Sequence, residues 1–184
     1  AQKSRVSNPH NDMLMAAAPV SGTYDLSTKG GTTPMNTANC YVINAPGTYS
    51  LPLVYGNAIK DGTTNSSAYI SRASGNYVLK TFVNHLDAPI TDPYIYNNAN
   101  CTPKDAVLVW QDEKDLVTRI ALSSDKHNIT FVVNQATIKQ GNAIIAVRNS
   151  SGQIMWSWHI WVTDYKLGDG IKTVTNYQNV QYRM

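Results

Sequence analysis

Apolar and polar residues alternate with a period of two in most of the chain from residue 40 onward. Ile129, Phe131 and Val133, for example, share one face of such a segment. Side chains alternate between the two faces of a β-strand, so each segment predicts a strand. Clusters of Gly, Pro, Asn, Asp and Ser separate the segments and predict turns. The ten predicted strands are residues 40–45, 48–54, 68–70, 77–83, 93–96, 106–111, 116–122, 128–134, 143–149 and 154–162.

This series of strands predicts the fold class. No long segment repeats its apolar positions every 3.6 residues, although the acidic start of residues 112–122 predicts a helical turn. The turn residues Asn-Ser-Ser-Gly at 149–152 predict an antiparallel hairpin between the last two strands. About ten short strands without helices predict an all-β protein, an antiparallel β-sandwich of immunoglobulin-like or jelly-roll-like type.

The segment IMWSWHIWVTD, residues 154–164, holds three of the four tryptophans. His159 and Trp161 share one face, where a ring N–H requires a polar or partly wet neighbour. Both residues are either structural or ligand-facing, since an exposed indole can stack on a sugar ring. The same two alternatives apply to Trp110 at the end of strand 106–111. These three residues are the candidate ligand-binding site. The opposite face, predicted to lie in the core, carries Ile154, Trp156, Trp158, Ile160 and Val162.

The predicted strands divide the chain into three parts. Residues 1–36 predict an irregular arm, with an edge strand at 22–26 and a turn at the glycine pair 30–31. Residues 37–165 form the predicted sandwich. We expect residues 166–184 to be a C-terminal extension that leads to a further module. The longest apolar run near the start, MLMAAAPV at 13–20, falls far short of the roughly 20 residues that span a bilayer. We therefore expect no membrane anchor in it.

Composition and charge narrow the possible functions. Charged residues make up 15% of the chain, and eleven tyrosines stand against two phenylalanines. This favours an extracellular β-protein over a cytosolic enzyme. The net charge is +3 and no four basic residues follow one another, so we expect no nucleic-acid partner.

The two cysteines, Cys40 and Cys101, have no CxxC spacing, which excludes a zinc or thioredoxin-type motif built on them. In an oxidising compartment a disulfide between them would stabilise the fold by about 4 kcal/mol. The alternative of two free thiols stays open.

No signature of catalysis or cofactor binding is found. The four histidines lie in no nucleophile motif, and there is no GxSxG sequence. The turn at residues 164–169 lacks the acidic spacing of a calcium loop. We therefore predict a chain that is not an enzyme and that holds no metal or cofactor.

Two stretches carry a family resemblance: TANCYVINAPGTYSLPLVYGNA at 37–58, and AVLVWQD at 106–112 together with GNAIIAVRNSSGQIMWSWHIWVTDY at 141–165. They resemble a β-domain of fimbrillin-like and related surface lipoproteins of Bacteroidota. The resemblance implies a secreted, outer-membrane-associated cell-surface protein that acts in adhesion or pilus-like assembly with other surface or pilus subunits. This chain departs from the group in having no lipobox cysteine near its start.

We thus expect a non-enzymatic cell-surface domain for adhesion or fimbria-like assembly through strand edges and the N-terminal arm. The alternative is a carbohydrate-binding module of a surface glycan-binding protein, with host or dietary glycans as ligands. A carbohydrate-binding module exposes coplanar aromatic rings, whereas an assembly domain leaves an open strand edge or an apolar groove.

Overall fold

The structure is a computed structural model that describes residues 8–70, 75, 82–166, 168 and 170–183. Helix α1 (Pro9–Ala16) comes first, and two 3-10 helices lie at Ser66–Ala68 and Ile95–Asn97. The strands are β1 (Thr23–Asp25), β2 (Thr28–Lys29), β3 (Thr33–Pro34), β4 (Cys40–Ile43), β5 (Gly47–Pro52), β6 (Ile59–Lys60), β7 (Thr63–Thr64), β8 (Asp105–Gln111), β9 (Thr118–Leu122), β10 (Asn128–Val133), β11 (Gly141–Arg148), β12 (Ile154–Val162), β13 (Thr173–Thr175) and β14 (Gln181–Arg183).

Two four-stranded sheets form the body of the protein. The first has the strand order β1-β5-β10-β9 and the second β4-β12-β11-β8. Pairing is antiparallel except for β1 with β5 and β4 with β12, which are parallel. The all-β sandwich prediction is confirmed, and neither sheet closes into a barrel.

The strand order is that of an immunoglobulin-like sandwich. When β5, β8, β9, β10, β11 and β12 are taken as strands B to G, one sheet holds B, E and D and the other holds C, F and G. Strand β4 lies at the edge of the second sheet, parallel to β12. This edge position of β4 determines the shape of the candidate site.

The predicted alternation of buried residues holds in the central strands. Ile129, Phe131 and Val133 of β10 are at most 1% exposed, and Trp158 of β12 is 1% exposed. The ring of Phe131 stacks on that of Tyr49 from β5, with 5.8 Å between ring centroids. The core therefore lies between the two sheets, where these side chains meet.

The predicted hairpin between β11 and β12 is confirmed. The two strands pair from Gly141 with Val162 to Arg148 with Ile154. In the turn, the backbone N–H of Gly152 donates to the carbonyl oxygen of Asn149 at 3.0 Å. Gly152 has a φ of +77°, a left-handed conformation that glycine adopts without steric cost.

The predicted faces of β12 are wrong at its start. The pairing shifts by one residue between Val147 and Arg148, which inserts an extra residue into β12. This β-bulge turns Met155 into the core at 2% exposure and leaves Ile154 outside at 44% exposure. Trp156, which we predicted to be core, is only half-buried against the core.

Two predicted strands are not strands. The segment 68–70 begins at the last residue of the 3-10 helix Ser66–Ala68, and the segment 93–96 runs into the 3-10 helix Ile95–Asn97. Local side chains hold this second segment: Asp92 accepts a hydrogen bond from the backbone N–H of Tyr94 at 2.9 Å, and Asn98 accepts one from Thr91 at 2.9 Å. Such local bonds compete with strand pairing.

Two further predictions concern the chain around residues 77–83 and 112–117. The predicted strand over residues 77–83 lies outside the described residues except at Phe82 and Val83. The predicted helical turn after residue 112 is an irregular turn that ends where β9 begins.

The described part of the predicted arm, residues 8–36, packs on the sandwich and is more regular than expected. Strand β1 confirms the edge strand predicted at 22–26 and pairs with β5. Helix α1 was not predicted. Asn8 caps it by accepting from the backbone N–H of His10 at 3.1 Å, and Leu14 is its fully buried residue. With one buried position in eight residues, α1 has too little apolar periodicity to be recognised.

The C-terminal extension contains the exposed antiparallel pair β13 and β14. In the described part of the chain, no helix has the length and apolar character needed to cross a membrane.

Candidate functional site

The predicted ligand-binding residues lie on the outer face of the second sheet. The strand register places Trp110 beside Ile144, Ile144 beside His159, and His159 beside Cys40. Paired residues project from the same side of a sheet, so these four side chains form a row across β8, β11, β12 and β4. Trp161 lies two positions further along β12, on the same face.

The two tryptophans of this face are exposed. Trp110 is 52% and Trp161 40% exposed. They lie two strands and two residues apart, which corresponds to about 12 Å between their Cα atoms. Both remain available to a ligand, but they do not form a stacked pair among the described ring contacts.

His159 has polar neighbours on both sides of its ring. Its Nδ1 lies 3.2 Å from Sγ of Cys40, and its Nε2 lies 2.9 Å from Oδ1 of Asn142. Asn142 in turn donates from Nδ2 to Oδ2 of Asp112 at 2.8 Å, and from its backbone N–H to Oδ1 at 2.7 Å. Four side chains from β4, β12, β11 and the end of β8 are thereby linked.

Of the two alternatives for the cysteines, the structure has the second, in which both thiols are free. Cys40 is exposed on the outer face beside His159, whereas Cys101 is buried. Each thiol has its own neighbours: the Nδ2 of Asn84 lies 3.5 Å and the hydroxyl of Tyr55 4.0 Å from Sγ of Cys101. Partial desolvation of its sulfur raises the pKa of the exposed Cys40 thiol, and burial raises the pKa of the Cys101 thiol.

Strand β4 covers only part of the neighbouring edge of β12. It pairs with β12 from His159 to Val162, whereas β12 begins at Ile154. No described residue pairs with the remaining stretch, 154–158, on that edge. A groove of about 600 Å³ runs along it, which we call the edge groove, lined by residues 39, 83–85, 144 and 154–159.

The edge groove presents backbone groups for hydrogen bonding. The N–H of His159 points toward β4, where it donates to the carbonyl oxygen of Asn39 at 2.8 Å. N–H and C=O groups of residues two apart point to the same edge of a strand, so those of Ser157 point into the groove. The free stretch of five residues is about 16 Å long.

Trp156 forms one side of the groove and is held in place. Its Nε1 donates to Oδ1 of Asn39 at 2.9 Å. Its ring meets that of Tyr55 edge-on, with 5.0 Å between ring centroids and 88° between planes. Both contacts fix the orientation of the indole, so this side of the groove is preformed.

The opposite wall is a braced loop. Oδ1 of Asn84 accepts hydrogen bonds from the backbone N–H groups of Leu86 at 2.8 Å and Ala88 at 3.2 Å. The same side chain reaches back to Cys101. Nε2 of His85 lies 3.3 Å from Nδ2 of Asn149 in the β11–β12 turn. Cys101 thus supports the wall of the groove.

The sequence indicated the exposed face but not the groove. Trp161 and His159 were placed on the correct face because alternation is regular beyond the bulge. The groove depends on where β4 begins to pair, and on a loop that comes from a distant part of the sequence. Within the described residues, no cluster of three or more His, Cys, Asp and Glu side chains forms a potential metal site.

Comparison of the chain with models of protein families, with curated proteins and with solved structures gives no match.

Proposed function

We propose that this protein is a non-enzymatic cell-surface domain that acts in adhesion or fimbria-like assembly by binding an extended polypeptide segment in the edge groove. The observation that carries the proposal is the half of the β12 edge that β4 does not cover, which pairs with no described residue and opens into a groove. The resemblance to Bacteroidota surface proteins supports a secreted, outer-membrane-associated setting.

A bound segment would continue the second sheet in line with β4. Its backbone would hydrogen-bond with the N–H and C=O of Ser157, as in other cases of strand addition to a sheet edge. Its side chains would meet Val83 and Ile154, which are 46% and 44% exposed, and the indole of Trp156. Backbone bonds supply affinity, and these apolar positions supply selectivity.

Two substitutions at one position test this proposal. Ser157→Pro removes the N–H that points into the groove without removing one that pairs with β11, and Ser157→Ala changes the side chain alone. On an array of seven-residue peptides of random sequence, we expect wild type and Ser157→Ala to bind the same set of peptides. Ser157→Pro should lose at least about tenfold in affinity, equivalent to one or two backbone hydrogen bonds.

The proposal fails if Ser157→Pro, folded as judged by its melting temperature, binds those peptides as the wild type does. It also fails if no peptide binds at all.

A carbohydrate-binding module is the second candidate. It is supported by the exposure of Trp110 and Trp161 on one face of the second sheet. On a glycan array, this candidate requires binding that Trp110→Ala and Trp161→Ala each weaken and that Ser157→Pro leaves unchanged. Stacking of a sugar ring on an exposed indole does not involve the backbone groups of the β12 edge, so Ser157→Pro should not affect it.

A further inference from the structure

The hydrogen bonds around His159 determine which of its ring nitrogens carries the proton. An ionised carboxylate only accepts hydrogen bonds, so Asp112 must face the Nδ2 amide group of Asn142. The backbone N–H of Asn142 donates to the other oxygen of the same carboxylate and holds it in place. Oδ1 of Asn142 is then the atom that faces Nε2 of His159.

This orientation has a consequence for Cys40. Oδ1 of Asn142 can only accept, so Nε2 of His159 must be the protonated nitrogen of the neutral ring. The lone pair of Nδ1 is then directed at Sγ of Cys40, 3.2 Å away. The thiol therefore faces a base whose tautomer is set by two further residues, which is the arrangement expected of an activated nucleophile.

We propose that Cys40 is an activated, solvent-accessible thiol that forms mixed disulfides with disulfide-containing ligands, with His159 as its base and Asn142 and Asp112 as positioning residues. Thiol exchange at Cys40 needs no ligand in the edge groove, so this proposal goes beyond the binding function and does not depend on it. Each Cys40 forms one stoichiometric bond, so the reaction is not an enzymatic turnover.

The step balances without any further reactant. Nδ1 of His159 takes the proton from Sγ of Cys40, and the thiolate attacks one sulfur of the ligand disulfide. The ligand S–S bond breaks as the new S–S bond to Cys40 forms. The departing thiolate takes the proton back from His159. The ligand disulfide is the oxidant: one of its sulfurs leaves reduced while Cys40 becomes oxidised.

The neighbourhood explains why a base is required. Partial desolvation of the sulfur by its neighbours raises the pKa of the Cys40 thiol, so the sulfur rests protonated at neutral pH. Removal of the proton during attack then depends on His159, and general-base assistance contributes about 10²–10⁴-fold in rate. Cys40 also begins β4, next to Asn39 of the edge groove, so a ligand held there would lie close to the thiol.

The test uses 4,4′-dithiodipyridine, a small neutral disulfide, on the folded full chain, with mass spectrometry to identify the modified cysteine. Cys101 serves as an internal control because it is 1% exposed. We expect Cys40 to be modified first, and at least tenfold faster in the wild type than in His159→Phe, while Cys101 reacts only on unfolding.

A matched pair of variants tests the positioning residues without touching Cys40 or His159. Asn142→Leu removes the acceptor for Nε2 and should lower the rate at least tenfold. The double variant Asp112→Asn with Asn142→Asp exchanges amide and carboxylate. The hydrogen bonds that link residue 112, residue 142 and His159, which we call the relay, can therefore re-form. This exchange should keep the rate within about threefold of wild type, a rescue that a merely structural role would not produce.

Two results would overturn the proposal. One is a Cys40 rate that is the same in wild type and in folded His159→Phe. The other is a double variant that is as slow as Asn142→Leu at an unchanged melting temperature. Neither result bears on peptide binding, which is measured separately with the Ser157 variants.

Discussion

At the scale of single residues, two tryptophans of β12 have opposite environments and should respond differently to truncation. Trp158 is 1% exposed between the sheets, whereas Trp161 is 40% exposed on the outer face. We expect Trp158→Ala to lower the free energy of unfolding by about 3–5 kcal/mol through loss of burial and creation of a cavity. Trp161→Ala should cost less than about 1 kcal/mol. Denaturant unfolding of both variants measures the difference.

Trp158→Phe provides the control for that experiment. Among the described residues, Nε1 of Trp158 has no hydrogen-bond partner. Its removal therefore sacrifices no protein hydrogen bond, and the phenyl ring retains much of the packing. Equal losses for Trp158→Ala and Trp161→Ala would contradict the assigned faces of β12.

At the scale of elements, the end of the β8–β11 pair contains an ion pair whose contribution to the free energy of unfolding depends on pH. Arg148 donates from Nε and Nη2 to the two carboxylate oxygens of Asp105, at 2.9 and 2.7 Å. These bonds lower the pKa of Asp105 below its usual 3.8. The stabilisation is present above that usual pKa and is lost as the pH falls through the lower, folded value.

Asp105→Asn should accordingly be less stable than wild type at pH 7, and the gap should shrink as the pH falls below 3.8. Denaturant unfolding at pH 7 and pH 3 measures both gaps. Because both side chains are more than a third exposed, we expect a modest effect. A gap that widens toward low pH would show that the ion pair does not lower the pKa of Asp105 in the folded protein.

The elements also show what could be predicted from sequence. The strands β5 and β10, most of β11 and the part of β12 beyond the bulge follow period-two alternation, which the sequence displays directly, whereas β8 has a continuous apolar run. The bulge at Met155 could not be foreseen because it depends on the register with β11. The helix α1 was missed because it buries only Leu14. The relay at His159 joins strands far apart in sequence, so no local motif indicates it.

At the scale of the whole molecule, the N-terminal segment covers a strand edge of the sandwich. Strand β1 pairs with β5, and the backbone N–H of Val20 donates to the carbonyl oxygen of Pro46 at 2.9 Å. A Cβ at Gly47 would lie 2.3 Å from Cγ2 of Val20, so a larger residue there would force this docked segment to shift. Without the segment, the edge of β5 would be open to pairing with another chain.

Deletion of residues 1–36 should therefore increase self-association, seen as larger species in size-exclusion chromatography with light scattering. Deletion of residues 1–7 alone keeps α1 and β1 and should leave the oligomeric state the same as that of the wild type. A 1–36 deletion that stays monomeric and as stable as wild type would show that the segment does not protect this edge.

Amide hydrogen exchange, measured with and without the tightest-binding array peptide, shows whether the edge groove accepts an extended polypeptide. The N–H of Ser157 has no described strand partner on the groove side of β12. We expect peptide binding to slow exchange at Ser157 at least tenfold while leaving exchange at Trp110 and Trp161 unchanged. Slower exchange around the two tryptophans, with Ser157 unaffected, would contradict this expectation and favour binding on the outer face.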